Sequence, residues 1–361
     1  MKYQITVHKT NDSKLSGVNF DNLPFGKVFT DHMFIAKYKD GDWQDCQIRP
    51  LDSLSLHPSV TSLHYGQSIF EGLKAQKSDD GTPLIFRPDE NAKRLNSSAR
   101  RMAMPELPEE LFLAGLNKLI DIDSDWIPTN EGQSLYIRPF MFASDEYVGI
   151  KPSDEYIFVI FASPVGAYYS TPVKVYVSED YVRAFPGGTG AAKVAGNYAA
   201  ALLPAKVIQD KGYHQVLWLD GIEKKYFQEI GTMNVFFSID GKLITPSLDE
   251  ETILPGITRK SVIALANEAG IEVEERKIST DELFKAIEEG RVAEAFGTGT
   301  AATISHISDI GYRDRNYELP PITDDLFSSK VKIILDDLKK GRREDSHNWL
   351  FNVERENASL V

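Results

Sequence analysis

Residues 187–205 read GGTGAAKVAGNYAAALLPA, and Lys193 is the one charged residue among them. The stretch follows a β-branched run at 173–178 and runs into a helical pattern at 197–211. Glycine and alanine neighbours allow close backbone approach and burial around the lysine. Burial disfavours an ammonium and lowers its pKa. A neutral amine beside glycine-rich turns suits Schiff-base chemistry with a carbonyl cofactor. An exposed surface ammonium is the competing reading, and the stretch alone leaves both open.

The 361 residues are too many for one ordinary core and suit two α/β domains. Forty Lys and Arg against 53 Asp and Glu give a net charge of −13, with only short KK and RR pairs at 339–343. Nucleic acid and anionic membrane are therefore poor partners, although a local Arg pocket could still take a small anion. Cys46 is the only cysteine, so no intrachain disulfide forms, which fits a reducing compartment. The start, MKYQITVHKTND, carries no apolar core of a signal peptide. The longest apolar run, at 156–169, is broken by Ser, Pro and Gly and falls short of a membrane span. Seven scattered histidines without cysteine partners give no zinc pattern, and no metal is expected.

β-branched and aromatic runs predict strands at 28–37, 134–142, 156–163, 173–178, 214–220, 233–239, 271–278, 292–296 and 302–308. Helices are predicted at 89–103, 108–121, 197–211, 257–269, 280–289 and 324–340. Ser279 followed by Glu282 has capping-box spacing, and Gly290 closes the same helix. Pro204 should kink the 197–211 helix or delay its start. Pro, Gly and Ser place a linker at 164–172, between domains 1–163 and 173–361.

Several polar groups stand out. LPGITRK at 254–260 leads into a helix whose first N–H groups and dipole favour an anion. GTGTA at 297–301 could present N–H groups and hydroxyls to an oxyanion, or be a plain hairpin turn. Arg87 ends a strand before a helix whose expected N-cap is Asp89, and could grip a phosphate with two parallel bonds. Glu229 stands at the entrance to an apolar strand, where a carboxylate could pair with a protonated pyridine nitrogen. Tyr136 and Arg138 share one face of a strand, and Tyr65 sits beside a glycine in HYGQSIFEG. Each signal is weak alone, but all would serve one aldehyde–phosphate cofactor.

The ordered set FTDHMF, LHYGQSIFEGLKA, FRPDENAKRL, YIRP, KVAGNYAAAL, EIGTMNVFF, LPGITR and EEGRVAEAFGTGTAA resembles the branched-chain amino acid aminotransferases, pyridoxal-phosphate enzymes of fold type IV. It runs from about residue 20 to the end. The resemblance implies a two-domain α/β (α+β) architecture, with a larger C-terminal domain binding pyridoxal 5'-phosphate. It makes Lys193 the Schiff-base lysine, Glu229 the partner of the pyridine nitrogen and Tyr198 that of the phenolic oxygen. Arg87, the amides of Ile257 and Thr258, and Thr300 would hold the phosphate. Leu254, Gly256 and Thr232 would lie in the same cofactor set. Tyr65, Arg138 and the Thr300–Ala301 amides would receive substrate carboxylates, and Phe29, Tyr136 and Val148 would line the side-chain pocket.

The activity so implied is ping-pong transamination of L-leucine, L-isoleucine and L-valine with 2-oxoglutarate, giving branched-chain 2-oxo acids and L-glutamate. A cytoplasmic homodimer is expected. D-amino acid transaminase and aminodeoxychorismate lyase share the fold and are the alternatives within it. A P-loop reading of 187–193 meets Ala192 and Val194 where Gly and Ser/Thr are required. Some animal members carry a CxxC pair after the Gly-Thr turn; here Ala302 and Ser305 stand there.

Overall fold

The computed structural model describes residues 3–166 and 171–355. The chain divides into two units, Met1–Tyr168 with Asp336–Val361, and Tyr169–Leu335. Residues 167–170 of the expected linker lie outside the described residues. No described helix is long and apolar enough to cross a membrane.

The first unit is built on a nine-stranded sheet. Its centre is the antiparallel trio His32–Lys39, Tyr156–Val165 and Ser134–Ala143. Successive side chains point to opposite faces, and one face buries Phe34 and Phe158 against Phe112 of the helix Glu109–Ile122. The opposite face carries Tyr136 and Arg138. The strand Asp42–Pro50 has no clear period in the sequence. A positive φ of 52° at Asp45 and a register shift between Ile35 and Lys37 show why: a bulge breaks the alternation of Trp43, Cys46 and Ile48. The helix expected at 89–103 runs Pro88–Arg101, and its N-cap is Arg87 rather than Asp89. Proline at the first helical position is pre-set for the helix and needs no N–H, which moves the start upstream.

The C-terminal segment corrects the domain division. Residues beyond Asp336 belong with the first unit, where Leu350–Asn352 pairs antiparallel with Pro83–Phe86. A strand of three residues leaves almost no periodic trace in sequence, so the return was invisible there.

In the second unit, Phe227–Ile230, Gln215–Leu219, Val173–Ser178, Thr303–Tyr312, Val292–Gly299 and Met233–Ile239 follow one another as neighbours, and Phe227–Ile230 also pairs with Met233–Ile239. The six strands therefore close into a hydrogen-bonded ring. Val175, Leu217, Phe227, Val235 and Phe237 pack on one side of it with Leu283 and Phe284 of the helix Thr280–Glu288. The Ser279 hydroxyl accepts from the Glu282 N–H at 3.1 Å, as the capping box requires. The helix expected at 197–211 is two, Ala195–Ala200 and Leu202–Asp210. Pro204 lies in the first turn of the second, where its missing N–H costs nothing. The strand expected at 271–278 is confined to Val273–Glu275.

The turn that delivers Phe227–Ile230 is tied by one side chain. Asp220 accepts from the N–H groups of Ile222, Glu223, Lys225 and Tyr226 at 2.7–3.0 Å. Burial pushes its pKa up, but the four donors outweigh this and hold it below the ordinary value of 3.8. A lowered carboxyl pKa contributes stability above the unfolded value, lost as pH falls through the folded one. Asp220→Asn should therefore lower stability near neutral pH by about 1–3 kcal/mol. In urea titrations the deficit should shrink as pH falls below 3.8. A pH-independent deficit would show that the carboxylate charge plays no part.

Candidate active site

Lys193 stands at the end of a loop just before the helix Ala195–Ala200, with Val194 as the helix N-cap. Its amine donates to the Tyr198 hydroxyl at 2.8 Å, and the side chain is half-buried rather than sealed in the core. Asn197 fastens the loop: its amide donates to the Thr189 and Ala192 carbonyls at 2.8 and 3.0 Å, and its oxygen accepts from the Thr189 hydroxyl at 2.7 Å. Gly190 packs so closely on the Thr252 carbonyl that a Cβ would lie 2.4 Å from it. The Gly/Ala composition thus serves approach between backbones.

Glu229 is 2% exposed on the strand Phe227–Ile230. One carboxylate oxygen meets Arg183 Nε at 2.9 Å, and the other accepts the Leu254 N–H at 2.7 Å. Arg183 also donates to the Thr252 and Gly190 carbonyls. Asn234, directly across from Glu229, donates to the Leu254 carbonyl at 2.9 Å. Thr298 lies opposite Asn234 on the next strand, and its buried hydroxyl has no hydrogen-bond partner. Glu229, Asn234 and Thr298 form a row across three strands.

The same network sets the start of the helix Ile257–Glu268. Its N-cap, Gly256, has an ordinary extended backbone, but a Cβ there would fall 1.9 Å from Asn234 Oδ1. Only glycine fits. Ile257 and Thr258 follow, buried, with no acidic residue in the first turn. Such an end presents N–H groups and a positive dipole to an anion. Thr300 and Ala301 are half-buried in the turn joining Val292–Gly299 to Thr303–Tyr312, so GTGTA is a hairpin turn as well. Thr232 is exposed in the tight turn after Ile230, apart from the Glu229 row.

In the first unit, Arg138 donates to the Tyr136 hydroxyl at 3.0 Å and lies over the Phe70 ring at 4.8 Å. Its Nε is buried without a partner. Tyr136 packs edge-on to Phe25 and beneath Gly72, where a Cβ would strike its hydroxyl at 2.4 Å. Phe29 reaches the same face through Phe161, the residue paired with Arg138. Tyr65 and Val148 lie elsewhere on this unit, 44% and 65% exposed, on segments tied by the Thr61 hydroxyl to the Tyr147 carbonyl. Arg87 is mostly buried, 3.9 Å from Glu90; burial pushes its pKa down and Glu90 opposes this.

Sequence reading missed Arg183, Asn197 and Asn234, and within the GTGTA motif it named Thr300 and Ala301 rather than Thr298. Asn197 lay inside the quoted stretch and Asn234 inside EIGTMNVFF, but Arg183, in SEDYVRAFP, carried no pattern.

The family described as amino-transferase class IV matches residues 68–310. Branched-chain-amino-acid aminotransferase 2 of Bacillus subtilis (strain 168) is 47% identical over 337 residues, covering 92% of this chain and 93% of its own. The crystal structure of the Escherichia coli branched-chain amino acid aminotransferase aligns with a TM-score of 0.72 at 28% identity, over 90% of this chain and 99% of that one. A T.th. branched-chain amino acid aminotransferase complexed with N-(5'-phosphopyridoxyl)-L-glutamate aligns with a TM-score of 0.72 at 25% identity, over 88% and 98%.

The Arg183–Glu229 pair yields a stability prediction independent of chemistry. Both side chains are under a tenth exposed, so Arg183→Gln strands a buried carboxylate. The loss should be about 3–5 kcal/mol by chemical denaturation. Adding Glu229→Gln should recover part of it. A single variant within about 1 kcal/mol of wild type, on the order of a surface pair, would show that the pair is not buried in solution.

Proposed function

The chain belongs to the class IV aminotransferases and is a branched-chain-amino-acid aminotransferase; from that premise we propose that it transfers the amino group of L-leucine, L-isoleucine and L-valine to 2-oxoglutarate, by a ping-pong route on pyridoxal 5'-phosphate. The observation that carries the cofactor reading is the Lys193 amine, 2.8 Å from the Tyr198 hydroxyl at the end of the glycine-rich loop. The phosphopyridoxyl-L-glutamate complex of the T.th. relative supports both cofactor and second substrate.

The residues present fit the group. Glu229 is a buried carboxylate fixed by Arg183, the Leu254 N–H and the Asn234 amide, the last at 3.4 Å. It would hold a proton on the pyridine nitrogen. The amides of Ile257 and Thr258, with Thr300 and Arg87, would hold the phosphate, and Leu254 and Gly256 would border that cradle. When bound, pyridoxal phosphate supplies an electron sink that acidifies the substrate Cα–H bond. Lys193 would provide the amine that holds the cofactor aldehyde, and the same amine would take the substrate Cα proton and return one. Tyr198 steadies that amine.

The Arg138 face suits the two substrates. Phe29, Tyr136 and the neighbouring rings would take a branched aliphatic chain. The buried Arg138 Nε would take the γ-carboxylate of glutamate without leaving a bare charge in an apolar setting. Tyr65, Val148 and the Thr300–Ala301 amides complete the proposed substrate set. The exposed Leu63, Tyr65, Val148 and Ile150 support a homodimer in which this patch is covered.

Borohydride reduction should fix the cofactor on the peptide containing Lys193, and label on another lysine would sink the assignment. Lys193→Ala should bind cofactor yet lose turnover by several orders of magnitude, because attachment and proton transfer both need the amine.

Arg138→Gln should weaken the glutamate half-reaction by about 2–5 kcal/mol, as when a buried charge loses its partner. The leucine half-reaction should change far less. Single-turnover bleaching and recovery of the cofactor band measure each separately. Equal losses would assign Arg138 to the shared α-carboxylate or to structure.

A further inference from the structure

The C-terminal strand Leu350–Asn352 pairs with Pro83–Phe86 in the register Leu350 opposite Phe86. The next position along brings Trp349 across from Arg87, whose N–H donates to the Trp349 carbonyl at 2.7 Å. The Arg87 guanidinium carbon lies 5.0 Å from the centroid of the Trp349 ring, within cation–π range. Trp349 is itself fixed. Its N–H and that of Leu350 donate to the Asp345 carboxylate at 2.9 and 2.7 Å, the His347 ring stacks on it at 4.1 Å, and Phe86 meets it edge-on at 5.7 Å. Arg87 has a left-handed backbone, φ 51° and ψ 47°, at the strand-to-helix corner. A non-glycine residue holds that conformation only where its surroundings over-determine it.

We propose that Trp349 is the positioning residue of Arg87: the C-terminal segment returns to the first unit to supply an aromatic platform that aims the guanidinium at the cofactor phosphate. This rests on the reading of Arg87 as a phosphate ligand. The chemistry favours a ring over a carboxylate for the task. The ring offers the cation its π face and no acceptor atom, so it takes up none of the N–H donors. A platform can therefore orient the fork without competing for the same donors. A carboxylate would compete, and Glu90 at 3.9 Å is the group that does so here.

The test compares apoenzymes of wild type, W349F, W349L, R87Q and R87Q/W349L. Each is titrated spectrophotometrically with pyridoxal phosphate and with pyridoxal, which lacks the phosphate. W349L should weaken pyridoxal phosphate binding about tenfold, W349F should restore most of it, and pyridoxal binding should not change. The double variant should bind no more weakly than R87Q alone. Equal weakening for both ligands, or effects that multiply in the double variant, would overturn the inference. So would an unaffected W349L beside a weakened R87Q, leaving the phosphate reading of Arg87 intact. An R87Q protein that binds like wild type would overturn that reading and the inference together. If W349L does not fold, W349M, which fills similar space without a ring, takes its place.

Discussion

The Arg183–Glu229 ion pair is the constraint on which the second unit's site depends. A carboxylate 2% exposed is unfavourable unless charge and hydrogen bonds compensate it. The compensation comes from places remote in sequence: a guanidinium at 183 and a backbone N–H at 254. The same guanidinium reaches the carbonyls of Gly190 and Thr252. The lysine loop, the hairpin bearing Glu229 and the approach to the helix Ile257–Glu268 are thus stitched to one charge pair. Moving any of the three would leave a buried ion or a buried carbonyl short of a partner, so their relative placement is stiff.

The first unit uses the same device. Glu71 is fully buried and takes two parallel bonds from Arg94, both at 2.8 Å, and a third from Asn91 at 2.7 Å. Arg94 and Asn91 lie on the helix Pro88–Arg101, so the network holds that helix against the strand edge at Ser68–Phe70. Two consequences follow along the chain. Arg87, at the head of the helix, is placed by it. Gly72, next to Glu71, is held over the Tyr136 hydroxyl, which in turn accepts from Arg138. A bidentate pair fixes orientation as well as distance, so the backbone at Arg87 and the place of the Tyr136 ring follow from Glu71.

How much of this the sequence carried depends on whether the determinant is local. The stretch around Lys193 stood out because its pattern is contiguous, small residues around one amine, and the resemblance added Tyr198, whose hydroxyl that amine meets at 2.8 Å. The strands 173–178 and 233–239 were legible because VKVYVS alternates and MNVFFSI is rich in β-branched and aromatic residues. Asp42–Pro50 was not, since the bulge at Asp45 shifts Cys46 and Ile48 out of phase with Trp43. Arg183 was not, because an arginine is ordinarily solvated and its burial follows from a partner 46 positions away. The return of residues 350–352 to the first sheet was hidden for both reasons, being short and paired with a strand some 260 positions earlier. Glu229 was expected at the entrance to the strand 233–239 but lies within a separate short strand, Phe227–Ile230, paired with it, and the N–H of Leu254 that holds it could come only from the fold.

Buried polar atoms without partners separate structural arginines from the one that fits a ligand. Arg259 and Arg138 each have a buried Nε that makes no hydrogen bond. Arg259, 2% exposed, has its charge answered by Glu275 at 2.7 Å and by the Pro246 carbonyl. Its leftover Nε is the small cost of a pair already made. Arg138 has a tyrosine hydroxyl and aromatic faces around it, and none of its described hydrogen bonds or ion pairs goes to a carboxylate. A cation in that setting is under-compensated by about 1–3 kcal/mol for the missing bond. Folded proteins rarely keep such groups unless something else supplies the partner. The rings of Phe25, Phe29, Phe70 and Phe161 cannot supply an acceptor. An incoming carboxylate could, and under the proposed reading of Arg138 the stability withheld in the folded chain would be regained when the anion binds.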